Sequence, residues 1–250
     1  MKMKNAIFGL CTVAFSLLAQ ADEVLVAVAA NFAAPMQKIA AEFEKDTGHK
    51  VIVALGGTGK LYAQIVNGAP YELFLAADSV TTRRLAQEGF GDDASRFTYG
   101  QGKLVLWSAD PALVDAQGLV LKQGKFKRIA LANPKTAPYG AAALSVLRQL
   151  DLLTVLQPRF VQGENISQAY QFVSTGSAEL GFVALSQVMV EGKLVSGSAW
   201  RVPDSLYEPI HQDALLLNKG KNRPAAHLML DYLKGAKAQS VMRSYGYTTP

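Results

Sequence analysis

An apolar strand that runs directly into a glycine-rich turn and then into a helix constrains this chain more than any other feature. Residues 51–55 are apolar, residues 56–59 read Gly-Gly-Thr-Gly, and a helical pattern continues through residue 65. Glycine lets backbone N–H groups approach a ligand closely, and a helix start adds unpaired N–H donors with a partial positive charge. The turn is therefore a candidate anion site, although a plain turn capped by Thr58 explains the same residues.

The rest of the chain repeats this strand-to-helix order. Residues 24–30 form an apolar run typical of a strand covered on both faces, and Asn31 follows in the position of a helix N-cap. Gly48 is expected to end the helix that begins there. Further strands are predicted for residues 71–77, 102–107, 128–132, 160–162, 180–185 and 210–217, and further helices for residues 82–87, 141–149, 164–173, 225–233 and 236–245. The alternation predicts an α/β fold with parallel strands in two units, and small ligands favour the cleft between such units.

The first 21 residues have the layout of an export signal. Lys2 and Lys4 precede an apolar run over residues 6–19, and Ala19-Gln20-Ala21 ends the run, as in a secretory signal that is cleaved after Ala21. A membrane anchor is the alternative, but the apolar run is too short to span a bilayer. We therefore expect residues 1–21 to be a signal peptide and the mature chain to be exported.

Composition excludes several classes of function for the mature chain. Cys11 is the only cysteine, so no disulfide, thiolate chemistry or cysteine metal site is expected after cleavage. Removing Lys2 and Lys4 lowers the formal charge from +5 to +3, and the basic residues are scattered, so no nucleic-acid partner is expected. No later segment is apolar enough to span a bilayer.

Motifs of enzymes fail on inspection. Gly59-Lys60 resembles the end of a P-loop, but Ala54 and Leu61 occupy the places where that motif needs glycine and serine or threonine. There is no Gly-x-Ser-x-Gly elbow, and the three histidines have no metal-ligand spacing. The remaining enzyme hypothesis is an exported hydrolase with Asp78 as a cleft carboxylate, yet no nucleophile, base or metal set can be assembled around it.

A set of uncharged polar groups remains at the strand-to-helix junctions. It consists of Asn31, Thr58, Tyr139 and the backbone around Ile166. Taken singly, the first two are explained as helix caps and the last two as packing. Converging at one cleft, they would present amide, hydroxyl and backbone N–H donors, which can hold a dehydrated oxyanion without a salt bridge.

Several short motifs occur in a fixed order along the chain. They are residues 29–32 (Ala-Ala-Asn-Phe), 56–59, 62–70, 73–78, 102–107, 133–134 with 137–140 (Asn-Pro and Ala-Pro-Tyr-Gly), 180–184 and 233–235. In this order and spacing the mature chain resembles the periplasmic molybdate-binding proteins of ABC transporters over essentially its whole length. The resemblance implies a two-lobed class II periplasmic-binding-protein fold with its ligand in the inter-lobe cleft. It also implies a monomer without enzyme activity or cofactor that binds molybdate, and usually tungstate, and delivers it to a membrane-embedded ABC permease.

The resemblance also assigns the oxyanion ligands by position. The first junction contributes Asn31 with the Ala30 N–H beside it, the glycine-rich turn contributes the Thr58 hydroxyl, and the third and fourth ligands are Tyr139 and the Ile166 N–H. Molybdenum would enter only as the oxyanion, without direct protein ligands. Binding of another tetrahedral oxyanion, such as sulfate or phosphate, stays open as the alternative function.

Two details of the family pattern bear on this chain. One branch of the family places a tyrosine after the Leu-Gly-x-Val strand, where this chain has Ala184, and the other branch places it in the Pro-x-Gly loop, where this chain has Tyr139. Tyr139 is therefore expected to contribute and Ala184 is not. Lys60 is expected to lie beside the site without touching the ligand.

The resemblance further implies that the chain crosses between the lobes twice, near residues 99–102 and near residues 207–211. Residues 22–100 together with 208–250 are then expected to form lobe I, and residues 101–207 lobe II.

Overall fold

The computed structural model describes residues 21–250, so the predicted signal peptide lies outside the described residues except for Ala21. The strands are β1 Glu23–Ala29, β2 Lys50–Gly56, β3 Leu73–Ala76, β4 Phe97–Gly102, β5 Leu104–Ser108, β6 Ile129–Ala132, β7 Phe160–Gly163, β8 Leu180–Ala184, β9 Met189–Val190, β10 Lys193–Leu194, β11 Ser198–Arg201 and β12 Ile210–Leu216. The α-helices are α1 Ala33–Thr47, α2 Thr58–Val66, α3 Ser79–Gln87, α4 Val120–Gln123, α5 Pro138–Gln149, α6 Leu153–Leu156, α7 Ile166–Ser174, α8 Leu185–Val188, α9 Pro224–Lys234 and α10 Ala236–Ser244.

Two five-stranded sheets organise these elements, as a two-lobed α/β fold requires. The first sheet has the order β2-β1-β3-β12-β4, and the second has the order β11-β5-β8-β6-β7. Strands β1, β2 and β3 pair in parallel, as do β6, β7 and β8. The prediction of parallel strands is wrong for β12, which runs antiparallel to β3 and β4, and for β5, which runs antiparallel to β8 and β11.

The antiparallel strands follow from the way the chain moves between the sheets. It leaves the first sheet at Gly102 and begins the second at Leu104, after the single residue Lys103. It returns between Arg201 and Ile210, and β12 inserts between β3 and β4. Both crossings lie close to the positions where the resemblance puts them. The boundaries of the two lobes stay a prediction.

Each sheet is covered by helices that bury apolar residues against it. In the first sheet, α1, α9 and α10 share a core with Phe32 and Tyr99, while α2 and α3 pack on Phe74 from the other face. The second sheet has its own core, which includes Trp107 and Phe182. Because strands such as β3 and β6 are buried at every position, their sequences read as continuous apolar runs.

The ends of two helices test the capping predictions. Gly48 ends α1 in the left-handed conformation, with φ 76° and its N–H bonded to Glu44 O, so that prediction is confirmed. Asn31 does not cap α1, because the chain first makes a 3-10 turn over Ala30–Phe32 and Phe32 takes the N-cap position. Thr58 is likewise the first residue of α2, and Gly57 is its N-cap.

Short elements escaped prediction. Helices α4, α6 and α8 have four residues each, and β9, β10 and β11 have four or fewer, which is too short for a periodic pattern. Among residues 21–250 no single helix is long and apolar enough to cross a membrane; the bent pair Pro138–Gln149 and Leu153–Arg159 reaches the length and composition only when its two helices are counted together.

A candidate anion site at converging helix starts

A small cavity lies between the two sheets, and all five residues predicted to bind the oxyanion line it. The cavity offers about 10 Å³ to the centre of a water-sized sphere, which is about the space of one water molecule. Its wall consists of Ala29, Ala30, Asn31, Gly56, Gly57, Thr58, Ala77, Ala137, Pro138, Tyr139, Asn165 and Ile166. The structure therefore brings together residues that are more than 130 positions apart in the sequence.

Four helix starts meet at this cavity. They are the 3-10 turn that begins at Ala30, helix α2 at Thr58, helix α5 with Tyr139 as its second residue, and helix α7 at Ile166. The first N–H groups of a helix have no partner within the helix. The N–H groups of Thr58, Tyr139 and Ile166 make no hydrogen bond to residues 21–250. These donors carry the partial positive charge of a helix start, and they suit an anion in the cavity.

Asn165 determines which N–H of helix α7 stays available. Its side-chain oxygen accepts hydrogen bonds from the N–H groups of Ser167, at 3.0 Å, and Gln168, at 3.1 Å. This cap satisfies the second and third N–H of the helix. The first N–H, that of Ile166, is left for a ligand.

The hydrogen of the Thr58 hydroxyl is available to donate to a ligand. The side chain is buried, with 2% exposed, and its oxygen accepts a hydrogen bond from the Ala77 N–H at 3.1 Å. A hydroxyl carries one hydrogen and two acceptor sites. Because Ala77 uses only an acceptor site, the hydroxyl hydrogen remains free for a ligand in the cavity that both residues line.

The Asn31 side chain is held in a buried polar cluster between the sheets. Its Nδ2 donates to Gln212 Oε1 and to the Tyr247 hydroxyl, both at 2.8 Å. Gln212 Nε2 donates in turn to Ile210 O, which fixes Gln212 Oε1 as the acceptor. Both amide hydrogens of Asn31 are therefore committed, and its backbone N–H, at the start of the 3-10 turn, is its remaining donor.

Tyr139 belongs to the same buried cluster through its hydroxyl. The ring is 2% exposed, and a Cβ at Gly102 would overlap the hydroxyl oxygen, so only glycine fits beside it. Burial raises the pKa of Tyr139 well above its ordinary value, with a further contribution from Tyr247, so the hydroxyl stays neutral. The hydroxyl thus lies among cluster residues, whereas the Tyr139 N–H at the helix start has no partner within the described part of the chain.

Ser186 connects this cluster to the first junction. Its hydroxyl donates to Asn31 O at 2.7 Å and lies 3.1 Å from the Tyr247 hydroxyl. Burial raises the pKa of Tyr247 to about 12, so this hydroxyl also keeps its proton. The turn that carries Ala30 and Asn31 is therefore fixed from both sheets.

Charged side chains lie beside the cavity but not in its wall. Asp78 lines a larger neighbouring groove of about 400 Å³ together with Glu208 and Lys135. Its carboxylate caps helix α3 by accepting from the Thr81 N–H at 2.6 Å, and burial raises its pKa. Lys60 also lies outside the wall and pairs with Glu164 at 3.2 Å on the surface.

The described residues give the hydrolase hypothesis no support. Asp78 serves as a helix cap, and its neighbour Asp213 is held by Thr82, Thr98 and Arg96. No group of three or more His, Cys, Asp or Glu side chains within residues 21–250 is placed to hold a metal ion. Nothing here pairs a nucleophile with a base.

Some residues around the site were not found from the sequence. Asn165 precedes an apolar helical pattern, so its capping role had a readable signal. Gln212 and Tyr247 had none, because their contacts with Asn31 span 181 and 216 residues of chain. Ser186 contacts Asn31 across 155 residues. Such contacts depend on the tertiary fold alone.

Known proteins match the chain over almost its whole length. The molybdate-binding protein ModA of Azotobacter vinelandii is 62% identical over 229 residues, which cover 92% of this chain and 91% of that protein. ModA of Rhodobacter capsulatus is 50% identical over 234 residues, which cover 94% and 91%.

Solved structures agree with the sequence relatives. The Azotobacter vinelandii periplasmic molybdate-binding protein superposes with a TM-score of 0.88 and 42% identity, covering 91% of this chain and 99% of that one. The sulfate-binding protein SubI of Mycobacterium tuberculosis superposes with a TM-score of 0.71, covering 91% and 86%, but at 14% identity it shows the shared fold alone. The sequence profile of the bacterial extracellular solute-binding proteins matches residues 24–248, and the chain belongs to this family.

Proposed function

We propose that this protein captures molybdate in the periplasm and delivers it to the permease of an ABC transporter. The observation that carries the proposal is the cage of neutral donors in which the starts of α2, α5 and α7 and the Ala30–Phe32 turn meet. The two molybdate-binding relatives at 62% and 50% identity support the same ligand. They are named as binding proteins, and we assign this chain no catalytic step.

Each donor has a specific role in the proposal. The N–H groups of Asn31, Tyr139 and Ile166, the N–H and hydroxyl of Thr58, and the Ala30 N–H beside them surround the oxyanion. Hydrogen bonds to a charged partner are stronger than neutral ones, at roughly 1.5–3 kcal/mol each. Because these groups are fixed by helix starts, they select a ligand by size and by tetrahedral geometry.

The chemistry of the cage also ranks the alternative ligands. Phosphate carries at least one proton near neutral pH, and that proton needs an acceptor. No carboxylate lies in the described wall of the cavity, so the wall offers the phosphate proton no charged acceptor, and we expect phosphate to bind less well than an unprotonated oxyanion. Sulfate is a doubly charged tetrahedral oxyanion like molybdate but has shorter bonds, so the fixed donors would reach it less well. Tungstate is close to molybdate in size and charge, and we propose that it binds too.

A titration with four anions tests the proposal. A ligand that binds only the folded form adds about 2.7 kcal/mol at a hundredfold excess over Kd, and for a chain of this size that raises Tm by roughly 5–11 °C. Molybdate and tungstate are expected to give this shift at micromolar concentrations, whereas sulfate and phosphate require a large excess. A melting curve that molybdate leaves unchanged would refute the proposed function.

Export and lobe organisation complete the proposal. We propose cleavage after Ala21, a monomeric mature chain, and lobes formed by residues 22–100 with 208–250 and by residues 101–207. The cleavage site is supported by the Ala19-Gln20-Ala21 sequence, which has the small residues of a signal-peptidase site. N-terminal sequencing of the periplasmic protein is expected to begin at Asp22, and any other first residue would contradict this cleavage site.

A further inference from the structure

The glycine-rich turn makes a direct backbone contact with the opposite side of the cleft. The Gly59 N–H, in the first turn of α2, donates to Thr136 O at 3.0 Å. Thr136 lies in the loop between β6 and α5, and β6 is a strand of the second sheet. This hydrogen bond therefore joins the two halves of the molecule next to the anion cavity.

The contact leaves little room for a side chain at residue 59. A Cβ there would lie 3.1 Å from Thr136 Cβ, 3.1 Å from Thr136 O and 3.2 Å from Thr136 Cα. Two of these three atoms are backbone, so the loop itself would have to move. At Gly57 the closest approaches to a Cβ are 3.4, 3.6 and 3.8 Å, which is ordinary contact.

Backbone conformation does not explain the glycine. Gly59 lies within helix α2 and is not among the described glycines with positive φ, so alanine would adopt its conformation easily. Alanine is in fact the better helix former. The lack of a side chain at residue 59 is therefore explained by the close contact with Thr136 and not by the helix itself.

We propose that Gly59 is a positioning residue for closure of the cleft. Its bare backbone lets the start of α2 dock on the Thr136 carbonyl, which brings Thr58 within the same cage as Tyr139 and Ile166. This inference rests on the proposed function for its ligand. It adds that the affinity of the site is governed by a steric requirement at a residue that does not line the cavity.

Two other contacts across the cleft, near the start of α2 and at Ala30, are weaker candidates for this role. The Lys60–Glu164 ion pair spans the same gap, but both side chains are largely exposed, at 59% and 67%, and exposed ion pairs contribute little. The Ser167 hydroxyl donates to Ala30 O at 3.2 Å, and this long bond has freedom to adjust. The Gly59–Thr136 contact involves backbone on both sides and adjusts least.

The substitution Gly59→Ala separates closure from folding. If the proposal is right, opening of the cleft separates the α2 start from Thr136, so the ligand-free variant is expected to be as stable as the parent or more stable. In the closed form the added Cβ strains the loop and lengthens the hydrogen bond. Apparent Kd rises in inverse proportion to the fraction of competent protein, and overpacking together with a lost hydrogen bond predicts at least about tenfold weaker molybdate binding.

Lys60→Ala is the matched control, since it changes the next residue of α2 and removes only the exposed ion pair. We expect its molybdate affinity to stay within about threefold of the parent. Calorimetric titration with molybdate gives the affinities, and melting without ligand gives the stabilities. A Gly59→Ala protein that binds molybdate as tightly as the parent overturns the inference. A ligand-free Tm below that of the parent also overturns it, because the weaker molybdate binding would then come from a less stable fold.

A second measurement needs no ligand. Lys60→Cys with Glu164→Cys places two thiols across the cleft in a mature chain that has no other cysteine, and a short bis-maleimide joins them only when the cleft is closed. Adding Gly59→Ala is expected to lower the cross-linking yield severalfold, and an unchanged yield overturns the inference. Failure of the parent to bind molybdate would instead refute the proposed function, and the cross-linking result would still decide the role of Gly59.

Discussion

Replacement of Thr58 by valine is the sharpest test of the site, because one oxygen atom has two separable roles. The hydroxyl accepts from the Ala77 N–H at 3.1 Å, and in the proposed site it donates to the bound oxyanion. Valine has nearly the same shape as threonine, so Thr58→Val removes the oxygen without creating a large cavity. Its effects on folding and on binding have different causes and are measured separately.

The loss of stability follows from the Ala77 N–H. Ala77 is 2% exposed, so its N–H would be left buried without an acceptor, at a cost of about 1–3 kcal/mol. For a chain of this length that lowers the ligand-free Tm by roughly 2–12 °C. Urea unfolding of the ligand-free protein provides an independent value.

The loss of affinity follows from the hydroxyl hydrogen. A hydrogen bond to a charged group contributes about 1.5–3 kcal/mol, so molybdate is expected to bind roughly 10- to 150-fold more weakly to Thr58→Val. Calorimetric titration at a temperature well below the lowered Tm measures this directly. Thr58→Ser is the control, since it retains both roles of the oxygen and is expected to bind within a few fold of the parent.

Two outcomes would refute the reasoning about Thr58. Molybdate binding by Thr58→Val within twofold of the parent would show that the hydroxyl does not contact the ligand. A ligand-free stability equal to that of the parent would show that the Ala77 N–H does not depend on it.

Three further predictions follow from the same geometry. Tyr139→Phe is expected to weaken molybdate binding less than about tenfold, the scale of a neutral hydrogen bond, because the hydroxyl lies in the buried cluster; a loss of 10- to 150-fold in a titration would instead indicate direct contact with the oxyanion. Asp78→Asn retains a good capping side chain but cannot ionise. Because burial raises the pKa of Asp78 above its unfolded value, ionisation of Asp78 in the parent costs stability as pH rises through the folded pKa. The variant is therefore expected to have a higher Tm than the parent at pH 7 but not below pH 4, and an equal difference at both pH values would contradict this. Burial raises the pKa values of Tyr207 and Tyr247 from 10.0 to about 12. The stability that the neutral hydroxyls contribute is therefore present below pH 10 and is lost as pH rises towards 12. We expect these two tyrosines to cause no change in Tm between pH 7 and 9, and a fall in Tm in that range that their replacement by phenylalanine abolishes would contradict the assignment.

Local patterns made much of the fold readable. The strands at Glu23–Ala29, Leu73–Ala76 and Ile129–Ala132 are buried along nearly their whole length, so their apolar runs appear directly in the sequence. The junctions that follow strands β1 and β2 could also be located, because glycine and polar residues interrupt the apolar pattern there. The direction of β12 and β5 was missed, because nothing local records which sheet edge a strand will join.

The site divides in the same way. The sequence by itself determined that donors without charge occur at the starts of helices, at Asn31, Thr58, Tyr139 and Ile166, since helix starts and their N–H groups follow from local patterning. It did not determine which atom of each residue is available. Only the tertiary structure committed the Asn31 amide to Gln212 and Tyr247.

The glycine-rich turn shows the same division at a single position. Its glycines predicted that the backbone approaches another group closely, and the start of the following helix indicated that this group is an anion. The structure assigns Thr58 to the cavity wall and sets Gly59 against the Thr136 backbone across the cleft. Local sequence determines which donor groups a turn contains. Their partners depend on packing between segments that are distant in the chain, and only the folded structure decides that packing.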